Sequence, residues 1–154
     1  MAMVLSCSDS RVPIELLFDV GFGDLFVIRN AGNACTEGSL ASIEYGLEAL
    51  NISLLVVLGH QGCGAVAAAC ADHVSLSPSL SQLVLHIRLG LVKGAVPLDP
   101  DVAVRRHPVL TAHQLIGSSQ LVQDRVNSGA LVIEPACYTF DHGKIEWMGS
   151  TSTD

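Results

Sequence analysis

The chain has 154 residues, 49% of them apolar and 15% charged, with a formal net charge of −7. That length buries about two-thirds of the unfolded chain's surface, and the composition excludes a disordered segment; one domain over residues 1–154 is expected. The acidic balance, with Arg105-Arg106 as the only adjacent basic pair, excludes a nucleic-acid binder that works by neutralising phosphates, and no apolar run reaches the roughly 18 residues of a membrane span.

The start, Met-Ala-Met-Val-Leu-Ser-Cys, has no basic stretch ahead of an apolar one and no small-residue cleavage site, so no secretory leader is expected. The cysteines (Cys7, Cys35, Cys63, Cys70, Cys137) are odd in number and irregularly spaced. They predict free thiols in a reducing, cytoplasmic setting, some of them committed to a metal.

In chain order, Met3–Ser6 reads as a buried strand ending at Cys7. Pro13 opens a short helix over Ile14–Phe18, and Gly21, Gly23 and Asp24 turn the chain into a second strand, Leu25–Arg29. Asn30–Asn33 is turn chemistry. Ser39 is the expected cap of a helix reaching Leu50, with Leu40, Ile43, Leu47 and Leu50 on one face and Asn51 as its end. Ile52–Leu58 is continuously apolar, as a central parallel strand covered on both faces should be, and a helix of small residues follows over Gly64–Ala71.

Residues 72–110 are hard to read. Ser77-Pro78, Pro97, Pro100 and Pro108 interrupt a helical stretch near Leu80–Val92. Helical periodicity returns over Thr111–Asn127, Gly129 terminates it, Leu131–Phe140 is a fourth strand, and Ile145–Met148 pairs back as an edge hairpin. The fold class expected is α/β: a mostly parallel central sheet of about four strands, helices on both faces and a C-terminal edge hairpin.

Ligand sites in such sheets gather beyond the carboxyl ends of the strands. Cys7 ends the first strand, and His60 and Cys63 lie just past the third in Gly-His-Gln-Gly-Cys-Gly. Two thiolates and one imidazole make a three-ligand zinc set with a fourth position open, the pattern of a catalytic rather than a structural ion. Asp9 and Arg11 occupy the loop directly after Cys7. A guanidinium can grip a carboxylate through two parallel hydrogen bonds, leaving it to orient a zinc-bound water. With that link broken, Asp9 could swing onto the metal and close the open position. Cys35, Cys70 and Cys137 lack ligand spacing and read as plain core or near-surface thiols.

Together, Cys7-Ser-Asp-Ser-Arg11, the Gly23–Asn33 segment Gly-Asp-Leu-Phe-Val-Ile-Arg-Asn-Ala-Gly-Asn, Ser42-Ile-Glu-Tyr-Gly46 and Gly59-His-Gln-Gly-Cys-Gly-Ala65 resemble a β-class carbonic anhydrase. The resemblance is close over residues 4–71 and returns weakly over Leu131–Trp147. It implies that Cys7, His60 and Cys63 hold Zn2+ and that Asp9 and Arg11 form the catalytic dyad. It also implies that Phe26, Tyr45 and Gly64 border the substrate pocket.

The activity implied is reversible hydration of CO2 to bicarbonate by zinc-bound hydroxide that Asp9 orients. Zinc lowers the pKa of bound water to about 7, and two thiolates should leave it somewhat higher than an all-histidine set does. The partners implied are CO2 or bicarbonate and further copies of the chain, as a homodimer or larger homo-oligomer.

The class carries a helical arm before its first strand, followed by a glutamine that hydrogen-bonds substrate. This sequence starts six residues before Cys7, so both are expected to be absent from it. One branch has a tryptophan three residues before the first zinc cysteine, in a regulatory bicarbonate pocket. Val4 stands there, with Arg29 at the pocket's arginine position, so no such pocket and an open site are expected. Two alternatives remain at this stage: a carbonyl sulfide or carbon disulfide hydrolase on the same fold, and a catalytically weak scaffold homologue.

Overall fold

The structure, a computed structural model, describes residues 1–71, 75–91 and 99–151. Its strands are β1 (Ala2–Cys7), β2 (Leu25–Asn30), β3 (Leu54–His60), β4 (Val132–Thr139) and β5 (Lys144–Trp147). They form one sheet in the order β2-β1-β3-β4-β5. The first four run parallel and β5 pairs antiparallel with β4, as expected of the edge hairpin. The helices are α1 (Ile14–Leu17), α2 (Glu37–Glu48), α3 (Gly64–Cys70), α4 (Pro78–Leu91), α5 (Pro100–Ser118) and α6 (Gln120–Asn127), with a 3-10 turn at Ala31–Asn33.

Alternation along the strands sorts the core into two faces. Met3, Leu5, Leu55, Val57 and Ile133 pack with Ile43 and Leu47 of α2, Leu115 of α5 and Val122 of α6. Among the described residues, Val4, Val56, Leu58 and Ala136 pack with Val12, Ile14, Val27 of β2 and the residues around α1 and the hairpin. Helices therefore lie on both faces, but very unequally. A groove of about 250 Å³ lined by Val4, Phe18, Leu25, Leu54, Val56 and Trp147 stays open on the thin side. A third cluster, Cys7, Cys63, Val66, Val84, Ile87 and Val104, packs beneath the carboxyl ends of the strands.

Several element bounds differ from the sequence reading. The cap of α2 is Thr36, whose hydroxyl accepts from the Ser39 N–H while Ser39 Oγ accepts from the Thr36 N–H, a reciprocal capping box with serine at its third helical position. Asn51 ends the helix region as expected, at φ +48°, and Ile52 N–H returns to the Gly46 carbonyl at 3.1 Å.

The single helix expected over Thr111–Asn127 is two. The break falls at Ser119, whose side chain caps α6 by accepting from the Val122 N–H. α5 in turn starts at Pro100, in the first turn, where proline costs nothing, and runs straight through Pro108. Pro108 has no N–H for the Val104 carbonyl, and this stretch faces the bare backbone of Gly59. α4 begins at Pro78 rather than near Leu80; Val92 and Pro97 lie outside the described residues.

Candidate metal centre

Parallel pairing puts the ends of β1 and β3 side by side, with Ser6 opposite Leu58. The chain leaves β1 at Cys7 and β3 at His60, so both side chains emerge at one rim. Cys63 follows three residues after His60 and caps α3, reached through Gly62 at φ +62°. Among the described residues, Cys7, His60 and Cys63 offer one ligand atom each within 4.8 Å of one another, and all three are buried. The two sulfurs are 4.0 Å apart.

The protonation chemistry of this trio suits a cation. His60 Nδ1 lies 2.9 Å from the Gln61 carbonyl oxygen, which can only accept, so the ring proton sits on Nδ1. Nε2 is left as a bare lone pair, buried and without a hydrogen-bond partner. An unpaired acceptor inside a protein is costly unless something occupies it. Cys7 is drawn well below the ordinary thiol range by the Cys63 thiol beside it and by the Gly32 N–H, so a thiolate forms readily. Cys63 is driven up by that same neighbouring thiolate and by burial, while the Ala65 and Val66 N–H groups pull the other way. Burial opposes charge on His60, but the Cys7 sulfur and the Gln61 carbonyl outweigh it and raise its pKa. One thiolate, a second thiol held beside it and an open imidazole nitrogen fit a borderline-soft divalent ion such as zinc.

Asp9 and Arg11 stand at the mouth. Arg11 Nε donates to Asp9 Oδ1 at 3.0 Å and Nη2 to Oδ2 at 2.7 Å, and the Arg11 backbone N–H adds a third bond to Oδ1 at 2.9 Å. These bonds hold the Asp9 carboxyl far below the usual carboxylate range. Asp9 Oδ2 is 4.0 Å from His60 Nε2, so the carboxylate borders the ligand cluster while turned toward arginine. The Arg11 guanidinium lies 4.6 Å over the Phe140 ring, and Phe140 is fixed from below by Gln61, whose Oε1 accepts its N–H at 2.9 Å.

Arg29 donates from Nε to the Cys7 carbonyl at 2.9 Å and from Nη2 to the Asp9 carbonyl at 2.6 Å. Its guanidinium thus braces the loop that carries Cys7, Asp9 and Arg11. Gln61, Phe140 and the bracing role of Arg29 escaped sequence reasoning. The one available signal was the position of Gln61 inside the His-Gln-Gly-Cys motif.

The three pocket candidates separate. Gly64 directly follows Cys63 with open space at its Cα, so it borders the cluster. Phe26 and Tyr45 face each other with ring centroids 6.0 Å apart, but Phe26 pairs with Met3, four residues back along β1 from Cys7. They lie away from the cluster of their own chain, and Tyr45 is 56% exposed.

A family model described as Carbonic anhydrase matches residues 2–145. This chain belongs to the β-carbonic anhydrase family. It is 36% identical over 150 residues to Carbonic anhydrase 2 of Mycobacterium tuberculosis, covering 93% of this chain and 72% of that protein. Against the carbonic anhydrase of Mycolicibacterium smegmatis it is 35% identical over 152 residues, 94% and 73% of the two chains. Among solved structures, the Coccomyxa β-carbonic anhydrase in complex with acetazolamide superposes with a TM-score of 0.81 at 26% identity, over 98% of this chain and 73% of that one. A tetrameric β-carbonic anhydrase of Sordaria macrospora shares the fold with a TM-score of 0.83 at 22% identity, covering 98% and 82%.

Proposed function

We propose that the protein catalyses the reversible hydration of CO2 to bicarbonate, with Cys7, His60 and Cys63 holding zinc and Asp9 and Arg11 as the catalytic dyad. The observation that carries this reading is the buried, partnerless Nε2 of His60 converging with two cysteine sulfurs beside a carboxylate gripped by arginine. Zinc held by that set would lower the pKa of water from 15.7 toward 7 and make a nucleophile available at neutral pH.

The chain's own residues supply the rest. Arg11 keeps Asp9 ionised and fixes its carboxylate plane, so Asp9 can only accept a hydrogen bond from the attacking oxygen and turn its lone pair toward the carbon of CO2. Arg29 and the Gln61–Phe140 contact hold the two ends of this arrangement in place. The open space at Gly64 leaves room for a linear triatomic substrate beside Cys63. In the forward direction CO2 and water give bicarbonate and one proton, which is released to solvent.

The reading extends to assembly and setting. We place residues 1–154 in one catalytic domain that works as a homo-oligomer, because Phe26 and Tyr45 can border a pocket only if a second copy brings them to it. The tetrameric Sordaria relative and the open apolar groove support that reading. Among the described residues no helix is long and apolar enough to cross a membrane. The five free, buried cysteines favour a reducing compartment such as the cytoplasm.

The test is stopped-flow CO2 hydration on zinc-quantified protein. Cys63→Ala should lose both bound zinc and turnover. Asp9→Ala should keep its zinc and lose turnover by about 100-fold, the scale of a misplaced catalytic group. Unchanged zinc and turnover in Cys63→Ala would remove the assignment, and turnover of carbonyl sulfide exceeding that of CO2 on the same preparation would reassign the substrate.

A further inference from the structure

His107 is fully buried on α5, in the segment that sequence reasoning could not place, and the chemistry above makes no use of it. Its Nε2 lies 2.7 Å from the Gly32 carbonyl oxygen, and its Nδ1 has no partner. A carbonyl oxygen only accepts, so the ring proton must be on Nε2. Burial pushes the His107 pKa down to about 4, so the ring is neutral and has that single proton to give. Thr111 Oγ1 stands 3.5 Å from the same nitrogen. Gly32 in turn donates its N–H to Cys7 Sγ at 3.3 Å.

The link is positional, because the N–H and the carbonyl of Gly32 belong to successive peptide units. Gly32 sits at φ +72°, in the region only glycine enters freely, and glycine is the residue with the most torsional freedom to lose. A Cβ there would meet Ala65 Cβ and Ile87 Cδ1, each at 3.0 Å, so Gly32 cannot carry a side chain of its own, and the Asn30 side chain clamps the ends of the turn through the Ala34 N–H and carbonyl, each at 2.8 Å. Within that clamp, the hydrogen bond from His107 on α5 is the one made to Gly32's own carbonyl, and it fixes how the middle of the turn is oriented. An N–H aimed at a thiolate favours that charged form and draws density from sulfur.

We propose that His107 is a positioning residue for Cys7: through Gly32 it aims a backbone N–H at the metal-ligating sulfur and thereby sets how strongly that thiolate donates to the metal. This rests on the zinc reading above, and the test separates the two. Zinc affinity is measured by competition with a chromogenic chelator, first on the unaltered protein, where failure to bind would overturn the zinc reading and this inference with it.

Given binding, His107→Leu, which keeps apolar volume and removes the donor, should bind zinc 10–100-fold more weakly, the usual cost of losing an outer hydrogen bond to a ligand. In the cobalt-substituted protein its thiolate-to-metal charge-transfer band should move to longer wavelength. His107→Gln, which carries an N–H to similar reach, should recover both. Should His107→Leu fail to fold, the unaltered zinc-loaded protein still decides, through its imidazole 15N shifts. Protonated Nε2 with bare Nδ1 supports the proposal. Protonated Nδ1, or a folded His107→Leu with unchanged affinity and band, overturns it.

Discussion

Around the metal centre, single atoms carry the argument, and most of them are hydrogen-bond acceptors with a fixed supply of protons. His60 and His107 are both buried imidazoles, each tied through one nitrogen to a backbone carbonyl, and they differ in which nitrogen is tied. In His60 the tie leaves Nε2 bare toward two sulfurs; in His107 it leaves Nδ1 bare with nothing to bind. That difference has a thermodynamic signature. The His107 pKa is about 4 when folded, against an ordinary 6.5, so between these values the unfolded chain binds more protons than the folded one. The stability this group contributes is complete above pH 6.5 and lost as pH falls toward 4, at about 1.4 kcal/mol per pH unit. Metal-free protein should therefore lose roughly 2 kcal/mol more between pH 7 and 5 than His107→Gln does, by urea unfolding at each pH. Parallel pH profiles for the two proteins would show that the ring is not held neutral.

At the scale of elements, the site is a consequence of strand ends and of one close approach. The strands were readable because a central parallel strand is apolar throughout, as Leu54–Leu58 is, and because Cys7 and His60 fall where such strands stop. The convergence of Cys7, His60 and Cys63 at one rim was therefore legible in the sequence. α5 was not, since Pro100 and Pro108 look like breakers to any local rule; their tolerance depends on a first-turn position and on a glycine far away in sequence. His107 was invisible for the same reason: its partner is a backbone carbonyl 75 residues distant, which no side-chain pattern encodes.

The glycine in question is Gly59, where a Cβ would lie 2.7 Å from Pro108 Cγ and 3.2 Å from the Val104 carbonyl oxygen. A proline ring cannot rotate out of the way, so Gly59→Ala must push α5 off β3, at a cost of about 1–3 kcal/mol. For a chain of this size that is a fall in Tm of roughly 2–10 °C by calorimetry. Because β3 carries His60 and α5 carries His107, zinc affinity should fall with it; an unchanged Tm would mean that the helix approaches less closely than these distances state.

For the whole molecule, the uneven covering of the sheet decides what the chain does in solution. Among the described residues, one face is covered by α2, α5 and α6, while the other has α1, of four residues, and the hairpin. The groove between them is lined by Phe18, Leu25, Leu54, Val56 and Trp147; Leu54 and Trp147 are exposed, and Trp147 is 54% exposed against Phe18 at 6.4 Å. An apolar groove of this kind with neighbouring exposed Leu16 and Phe22 is more than isolated surface residues need explaining, and it favours cover by a second copy. Trp147 is the only tryptophan in the sequence, so it reports on that face alone. In an oligomer built through this face its emission should be blue-shifted at micromolar concentration and move red on dilution, in step with the loss of mass seen by analytical ultracentrifugation. Trp147→Lys should give smaller particles at equal concentration. An oligomer whose Trp147 emission does not change as it dissociates would place the contact elsewhere on the surface, and a monomer at every concentration would leave Phe26 and Tyr45 with no pocket to border.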